Sequence, residues 1–222
     1  MFLSTQGIAL GHFAYGDNAS IVRILTCSIG IESYWIRGLS RSNKKNWSIF
    51  FRPLSLLDLE INYREYANFQ RIREVKFSQL PHRLFEPQNL AYVWFLTDFL
   101  EHLLGKGGKG KDEHLFEFIF EFLSLINRAS TGLGFLCLRF LLLLTEKMGI
   151  GWIHGEASEW KDLPFFSPQL LNFLRACQEN SSNNSSDTHL LKEGIRFMIA
   201  YYQKFLYPFK LKSLDILSEL GK

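Results

Sequence analysis

The sequence predicts an α+β protein in which a small five-stranded β-barrel comes first and an all-α region follows. Two observations carry this prediction. Strand-like runs separated by Gly, Asn and Ser fill the first eighty residues, and from about residue 87 apolar residues recur at helical spacing. Short strands parted by such turns are typical of a small antiparallel barrel or sandwich. We therefore expect a β-domain at residues 1–80 and a helical domain at residues 81–222.

Each predicted strand ends at turn residues. In the second run Val22 and Ile24 fall on one face and Arg23 on the other, as successive side chains do in a strand. Pro53 lies inside the fourth run, which predicts a sheet edge or a bulge there because proline has no N–H for the ladder. The five runs are residues 3–16, 19–28, 31–39, 47–63 and 69–80.

Helical spacing dominates the rest of the chain. The run LGFLCLRFLLLL (133–144) is apolar nearly all round and predicts a buried central helix that ends at Gly149. It is too short to cross a bilayer and contains Arg139, so we expect no membrane association. The predicted helices are residues 88–104, 112–128, 133–149, 168–177, about 189–204 and 212–220.

Composition narrows the class of protein. The chain is 47% apolar and holds 21 Phe, enough to build a packed core. Cys27, Cys137 and Cys177 form no C-x-x-C pair, which favours a reducing compartment over a disulfide framework or a zinc site. The chain does not open with a secretory signal pattern. We therefore expect a cytoplasmic protein without a metal or other cofactor.

Positive charge is concentrated near the N-terminus. Residues 1–80 hold ten Lys or Arg against six Asp or Glu, whereas residues 81–222 hold fifteen against sixteen. Between residues 23 and 52 a single acid, Glu32, faces six cations, and a field of one sign favours an anionic partner. The cations are Arg23, Arg37, Arg41, Lys44, Lys45 and Arg52.

The basic loop IRGLSRSNKKN (36–46) is bracketed by aromatic residues. Trp35 precedes it and Trp47, Phe50 and Phe51 follow it, in what we predict to be the flanking strands. Single-strand binders combine rings, on which bases stack at about 1–3 kcal/mol each, with cations that track the phosphates. The pattern predicts DNA binding by Arg37, Arg41, Lys44, Lys45, Arg23, Arg52 and Trp47. A solvated turn kept soluble by its charges explains the same loop without a ligand.

No motif points to catalysis. The six His are scattered without metal-ligand spacing, and no G-x-S-x-G element is present. Residues 105–111 fit G-x-x-x-x-G-K, but Asp112 stands where a P-loop needs Ser or Thr. A nuclease would need clustered carboxylates, which the sequence does not show. We expect a protein that is not an enzyme, with a protein-binding adaptor built on the Phe-rich helices as the alternative to a DNA-binding protein.

Arg139 is the unusual residue of the central helix. Burying a guanidinium unpaired is costly, so it either pairs with an acid or reaches a groove at the surface. A cation beside an apolar groove suits a peptide that ends in a hydrophobic residue and a carboxylate. A salt bridge or a side chain that extends to solvent explains Arg139 equally well.

Motifs along the chain resemble those of RecO, a family of bacterial recombination mediators. The opening GIALGHFAYGDNASIVRILTCSIGIESYWIRGLSRS resembles the family's G-I-V-L strand, Y-G-E-x-S turn, L-T-x-x-x-G turn and R-G-x-R. Further along, FRPLSLLDLEI, LRFLLLLTEKMGI and LKSLDIL resemble the family's L-x-P-x-x-x-L-E, R-F-E-x-x-L-L-x-x-x-G-Y and L-K-S-R-E-L-L. The matches keep their order over almost the whole chain.

The resemblance implies a fold and a function. It implies an N-terminal OB-fold and a C-terminal helical domain, binding of single- and double-stranded DNA, and annealing of complementary strands. It also implies action with RecR to help RecA displace single-strand-binding protein (SSB). Arg37 and Arg41 correspond to the arginines of the family's R-G-x-R, with one more residue between them here (R-G-L-S-R), and are the first DNA contacts that the resemblance implies. Arg139 matches the arginine near which some members bind the acidic, Phe-ending SSB tail.

The sequence departs from the family pattern after the central helix. Many members carry a four-cysteine zinc site there, whereas GIGWIHGEASEWKDLPFF (149–166) has no Cys. We expect the zinc site to be absent and the loop to be held by aromatic residues instead. The acid of the R-F-E motif is also missing, since Leu141 follows Phe140. The expected aromatic residues are Trp152, Trp160, Phe165 and Phe166.

Overall fold

The structure, a computed structural model, contains two compact units, Met1–Arg128 and Ala129–Lys222. The described part of the first holds five strands and two helices, and that of the second holds four helices. The change from strands to helices therefore lies inside the first unit. The assignment of separate functions to residues 1–80 and 81–222 stays a prediction. The structure describes all residues except 17–18, 38–46, 106–110, 130, 152–159, 180–186 and 220–222.

The five strands form one antiparallel sheet with the order β3-β2-β1-β4-β5. The central strand β1 pairs with β4 through its first half and with β2 from Gly7 onward. A register shift between Ala9 and Gly11 bends β1, which lets one strand serve both halves of a curled sheet. The strands are β1 (Phe2–Tyr15), β2 (Ala19–Thr26), β3 (Gly30–Arg37), β4 (Leu56–Asn62) and β5 (Arg71–Gln79).

A bridge between Tyr34 and Gln70 joins the two edges of this sheet. The Trp35 N–H donates to the Gln70 carbonyl at 3.1 Å, and the Gln70 N–H donates to the Ser33 carbonyl at 2.8 Å. The bridge is parallel, so β3 and the start of β5 run alongside each other. This closure makes the sheet a barrel of the OB type, and the predicted fold class is confirmed.

The barrel interior is filled by buried apolar side chains from β1 to β4, and partly buried side chains of β5 pack against them. Gly7 permits the closest approach, because a Cβ there would lie 2.7 Å from Leu59 Cδ1 and 2.8 Å from Ile24 Cγ2. Val22 and Ile24 point inward, as the alternation in β2 predicts. The buried core residues are Ala9, Val22, Ile24, Tyr34, Ile36, Phe51, Leu57, Leu59 and Ile61.

The fourth strand begins later than the sequence predicts. Trp47–Ile49 form a 3₁₀ turn, Leu54 adopts a left-handed φ of 62°, and β4 begins only at Leu56. Pro53 lies in this turn. A proline has no N–H for the hydrogen-bond ladder of a sheet, so the strand starts only after it. Since β4 pairs with β1 and β5 on its two sides, the predicted sheet edge at Pro53 is wrong.

Two helices complete the first unit, α1 (Leu90–Gly105) and α2 (Glu113–Arg128). Helix α1 contacts β1 and α2 contacts β4, so both lie against the outside of the barrel. The Asp112 carboxylate accepts the Leu115 N–H at 2.9 Å and satisfies one amide at the start of α2. Helix α2 buries one apolar stripe and leaves its glutamates exposed.

The second unit contains α3 (Leu133–Lys147), α4 (Pro168–Gln178), α5 (Thr188–Phe205) and α6 (Ser213–Glu219). Helix α3 is buried along most of its length and contacts α4 and α5, which confirms the predicted central helix. The Tyr202 hydroxyl donates to the Leu141 carbonyl at 2.7 Å and ties α5 to α3. None of the helices in the described part of the chain has both the length and the apolarity to cross a membrane.

Phe51→Ala is expected to lower the free energy of unfolding by about 3–5 kcal/mol, because it removes a fully buried ring from the barrel core. Tyr15→Ala is the control, since the Tyr15 ring is half exposed and its loss should cost about 1 kcal/mol or less. Urea unfolding measures both variants. Equal losses in the two variants would contradict the placement of Phe51.

Candidate nucleic-acid interface

A groove of about 370 Å³ lies on the barrel beside the loop that joins β4 to β5. Its rings come from three segments far apart in the sequence, which are the end of β1, strand β3 and the β4–β5 loop. Two arginines and two asparagines line it, and among the residues that the structure describes no carboxylate does. The lining residues are Tyr15, Trp35, Asn62, Arg64, Ala67, Asn68, Phe69 and Arg71.

The rings and guanidinium groups of this groove contact one another. The centroids of the Tyr15 and Phe69 rings lie 5.7 Å apart at an interplanar angle of 57°. The Arg71 guanidinium lies 5.9 Å from the centroid of the Trp35 ring. Tyr15, Arg64 and Arg71 are exposed, while Trp35 and Phe69 are half-buried, so faces and charges both reach solvent. Aromatic faces beside guanidinium groups can hold bases and phosphates together.

The position of the groove on the barrel matches the binding face of OB-folds. OB-folds bind oligonucleotides on strands 2 and 3 and on the loops that join β1 to β2 and β4 to β5. Tyr15 ends β1 at the first of these loops, Arg64 and Phe69 belong to the second, and Trp35 lies on β3. The amides of Asn62 and Asn68 add hydrogen-bond donors and acceptors that can face base edges.

Similarity to known proteins agrees with this geometry. Residues 1–81 match the family described as recombination protein O N terminal. The chain is 27% identical to the DNA repair protein RecO of Flavobacterium johnsoniae, over 99% of both chains. It is 26% identical to the DNA repair protein RecO of Phocaeicola vulgatus, again over 99% of both chains. The chain is similar to RecO proteins. The resemblance predicted from the motifs is confirmed, and the RecO N-terminal domain is the barrel described above.

Arg37 is the first arginine of the segment R-G-L-S-R, which resembles the family's R-G-x-R with one residue more. It ends β3, is exposed, and lies on the same outward face as Trp35 because side chains two apart share one face of a strand. Among the residues that the structure describes, no acid lies within ion-pair distance of Arg37. The remaining predicted contacts of the basic loop, Arg41, Lys44 and Lys45, lie outside the described residues.

Arg23 has an intramolecular partner. Its Nη1 atom lies 3.5 Å from Glu101 Oε1, so the pair links β2 to α1 within the first unit. Burial raises the pKa of the Glu101 carboxyl, and the Arg23 charge opposes that rise. A guanidinium whose charge is balanced in this way attracts phosphate less than an unbalanced one does. The assignment of Arg23 as a DNA contact stays a prediction.

Arg52 and Trp47 lie in the turn region that precedes β4. The Arg52 guanidinium is exposed and lies 5.1 Å from the centroid of the Phe85 ring, which orients it without neutralising it. Trp47 is half-buried, with its ring centroid 6.3 Å from that of Phe51. Phe51 is fully buried, and Phe50 packs on Phe77 at 4.7 Å. Of the three rings that follow the basic loop, Phe51 is therefore a core residue, and the strand predicted to begin at Trp47 is a 3₁₀ turn there.

Sequence reasoning missed four of the five rings and arginines of the groove, Tyr15, Arg64, Phe69 and Arg71. A local signal for three of them is present in NYREYANFQRIR (62–73), where aromatic residues and arginines are interleaved. This interleaving is typical of single-strand binding surfaces. The signal for Tyr15 is weaker, since only the closure of the barrel brings it to the same groove.

A larger cavity on the barrel, of about 490 Å³, has the opposite electrostatic character. Asp58, Glu60 and Glu74 line it together with one cation, Lys76. Lys76 lies 4.0 Å from Asp58, and the nearby Arg73 lies 3.7 Å from Glu60, so the cations there are already paired. A phosphate backbone would be repelled at this surface. Of these two surfaces, the charge of the groove favours DNA and the charge of the larger cavity does not.

The segment after α3 lacks the cysteines of the family's zinc site. Among the described residues, no group of three His, Cys, Asp or Glu side chains is placed to hold a metal ion. Trp160 is buried, as expected for a residue that holds the loop, whereas Phe165 is exposed beneath the Arg196 guanidinium at 5.5 Å. Phe166 is half-buried, and Trp152 lies outside the described residues.

For single-strand binding, Arg71→Ala is expected to make the slope of log affinity against log salt concentration shallower by about 0.7, the contribution of one phosphate contact. Arg23→Ala is the matched control and should leave the slope nearly unchanged, because Glu101 already balances that charge. Fluorescence anisotropy of labelled oligothymidine across a salt series measures both. A larger effect for Arg23 than for Arg71 would contradict the groove assignment.

Proposed function

We propose that this protein is a non-enzymatic DNA-binding mediator of recombinational repair. The observation that supports the proposal best is the groove of three rings and two arginines at the OB-type binding face. Single strands bind there with their bases on the rings and their phosphates on the cations. The name of the relatives, DNA repair protein RecO, supports a role in repair. Such a protein works in the cytoplasm, at the nucleoid.

The proposed mechanism of annealing follows from charge and stacking. Cations along the strand reduce the repulsion between two phosphate backbones, so a complementary strand can approach. Stacking tolerates any base, because every base has a π-face, and it leaves base edges available for pairing. The basic loop extends the phosphate path beyond Arg37 through Arg41, Lys44 and Lys45, and its contacts serve duplex DNA as well. If about four to six phosphates are neutralised, the salt slope for single strands is roughly −3 to −4.

Replacing Tyr15, Trp35 and Phe69 together by Ala is expected to weaken single-strand binding without changing the salt slope. Each stacked base contributes about 1–3 kcal/mol, whereas the slope counts phosphate contacts, which the triple variant keeps. Anisotropy titrations with oligothymidine over a salt series separate the two terms. A variant with unchanged affinity but a flatter slope would contradict stacking in the groove.

We assign partner docking to the helical unit. Residues 133–145 of α3 are all buried except Arg139 and Leu143, which are half-buried and lie one turn apart on one face. A cation beside an apolar side chain suits the acidic, Phe-ending tail of SSB. Through this contact, and together with RecR, the protein gives RecA access to strands coated by SSB.

Arg139→Gln is expected to weaken binding of an SSB-tail peptide, because the charge-assisted contact to the peptide's carboxylates is lost. Single-strand affinity, which depends on the barrel, should not change. Anisotropy of the labelled peptide and of labelled oligothymidine measures the two activities on the same sample. The assignment of Arg139 fails if the peptide binds the variant and the unmodified protein equally well.

A further inference from the structure

Gln70 lies behind the groove rather than in it. Its neighbours Phe69 and Arg71 line the groove, while the Gln70 side chain turns inward and is 1% exposed. A buried side-chain amide needs partners for its donor and its acceptor, and all of the hydrogen-bonding groups of Gln70 have them. The groups to which Gln70 is bonded belong to both walls of the groove.

The side chain of Gln70 holds the loop wall. Its Oε1 atom accepts the Arg64 N–H at 2.9 Å, and its Nε2 atom donates to the Arg64 carbonyl at 2.8 Å. The amide thus bonds Arg64 as the backbone of a neighbouring strand would, and it closes the loop from residue 64 to residue 70. This loop carries Arg64 at one end and Phe69 at the other.

The backbone of Gln70 holds the opposite wall. Its N–H donates to the Ser33 carbonyl, and its carbonyl accepts the Trp35 N–H, at 2.8 Å and 3.1 Å. Strand β3 carries Trp35, whose ring is the groove wall that faces the loop. A single residue therefore sets the separation between the Trp35 ring and the Phe69 ring.

We propose that Gln70 is a positioning residue that forms the single-strand groove before DNA arrives, an inference that rests on the proposed function. A free loop must be ordered when the ligand binds, and that cost lowers affinity. A loop that Gln70 already closes needs no such ordering when DNA binds. Glutamine is the side chain that fits, because glutamate has the same shape but lacks the N–H that the Arg64 carbonyl requires.

Gln70→Glu tests this role. Near pH 7.5 the variant should bind oligothymidine about tenfold more weakly than the unmodified protein, since the carboxylate faces the Arg64 carbonyl and the loop opens. Near pH 5 the difference should shrink, because burial raises the pKa of a carboxyl. The carboxyl of the variant then takes up a proton and donates it to the Arg64 carbonyl as the amide does. Gln88→Glu, which adds the same charge at an exposed site, should change affinity at neither pH.

The comparison at each pH is between the variant and the unmodified protein. The carboxyl groups on the neighbouring segments are Glu32 on β3, Glu65 in the loop and Glu74 on β5; both proteins contain them, so any effect they have cancels from the ratio. A ratio that stays at one, or a loss that does not recover on acidification, overturns the positioning role. If the triple ring variant lowers affinity while Gln70→Glu does not, only this inference fails and the proposed function stands.

Hydrogen exchange of the unmodified protein without DNA provides a test that needs no variant. The N–H groups of Arg64 and Trp35 should exchange as slowly as those in the centre of the sheet, because Gln70 accepts both. Fast exchange at Arg64 would show that the loop is open before DNA binds, which overturns the inference even if Gln70→Glu does not fold.

Discussion

Closure of the barrel at Gln70 is the constraint on which the rest of the first unit depends. The sheet order leaves β3 and β5 as edges, and edge strands carry backbone groups that need partners. The bridge from Ser33 and Trp35 to Gln70 pairs those groups where the edges meet. It also brings the aromatic side of β3 against the β4–β5 loop, so the candidate site is a direct product of the fold.

Electrostatics then distinguish one surface of the barrel from another. In the described part of the chain, the groove beside Trp35 is lined by arginines and by no carboxylate, whereas the larger cavity has three carboxylates around Lys76. Arg23 is balanced by Glu101 and ties α1 to the barrel, so its charge serves the packing of the unit. The net charge of +3 does not show this difference between the surfaces, because the charges of an acidic and a basic surface nearly cancel in the sum.

Much of the fold could be predicted from the sequence, since local patterns encode it. Turn residues delimit four of the five strands, and apolar spacing locates all six helices of the described part within a few residues. The predicted start of β4 is wrong, because the apolar residues between positions 47 and 55 resemble a strand in the sequence. In the structure they lie in a turn, from which Phe51 fills the barrel core. Periodicity reports burial, and a buried turn gives the same signal as a buried strand.

The site was harder to predict than the fold. Arg37 and Trp35 lie next to a basic loop; the charge of Arg37 and its resemblance to the family motif, and the ring of Trp35, are visible in the sequence. The partners of Trp35 come from residues 15 and 64–71, and only a long-range backbone bridge makes them neighbours. No local pattern records such a pairing. Arg23 shows the reverse case, in which a cation selected for its charge proves to have an acid partner on α1.

Photo-crosslinking of a bromodeoxyuridine-substituted single strand, followed by mass spectrometry of the adducts, identifies the side chains that lie against the bases. A base that stacks on a ring lies close enough to react with it, so adducts are expected on Tyr15, Trp35 and Phe69 of the barrel. Adducts confined to the surface around Asp58 and Glu74, or to the helices of the second unit, would contradict this expectation.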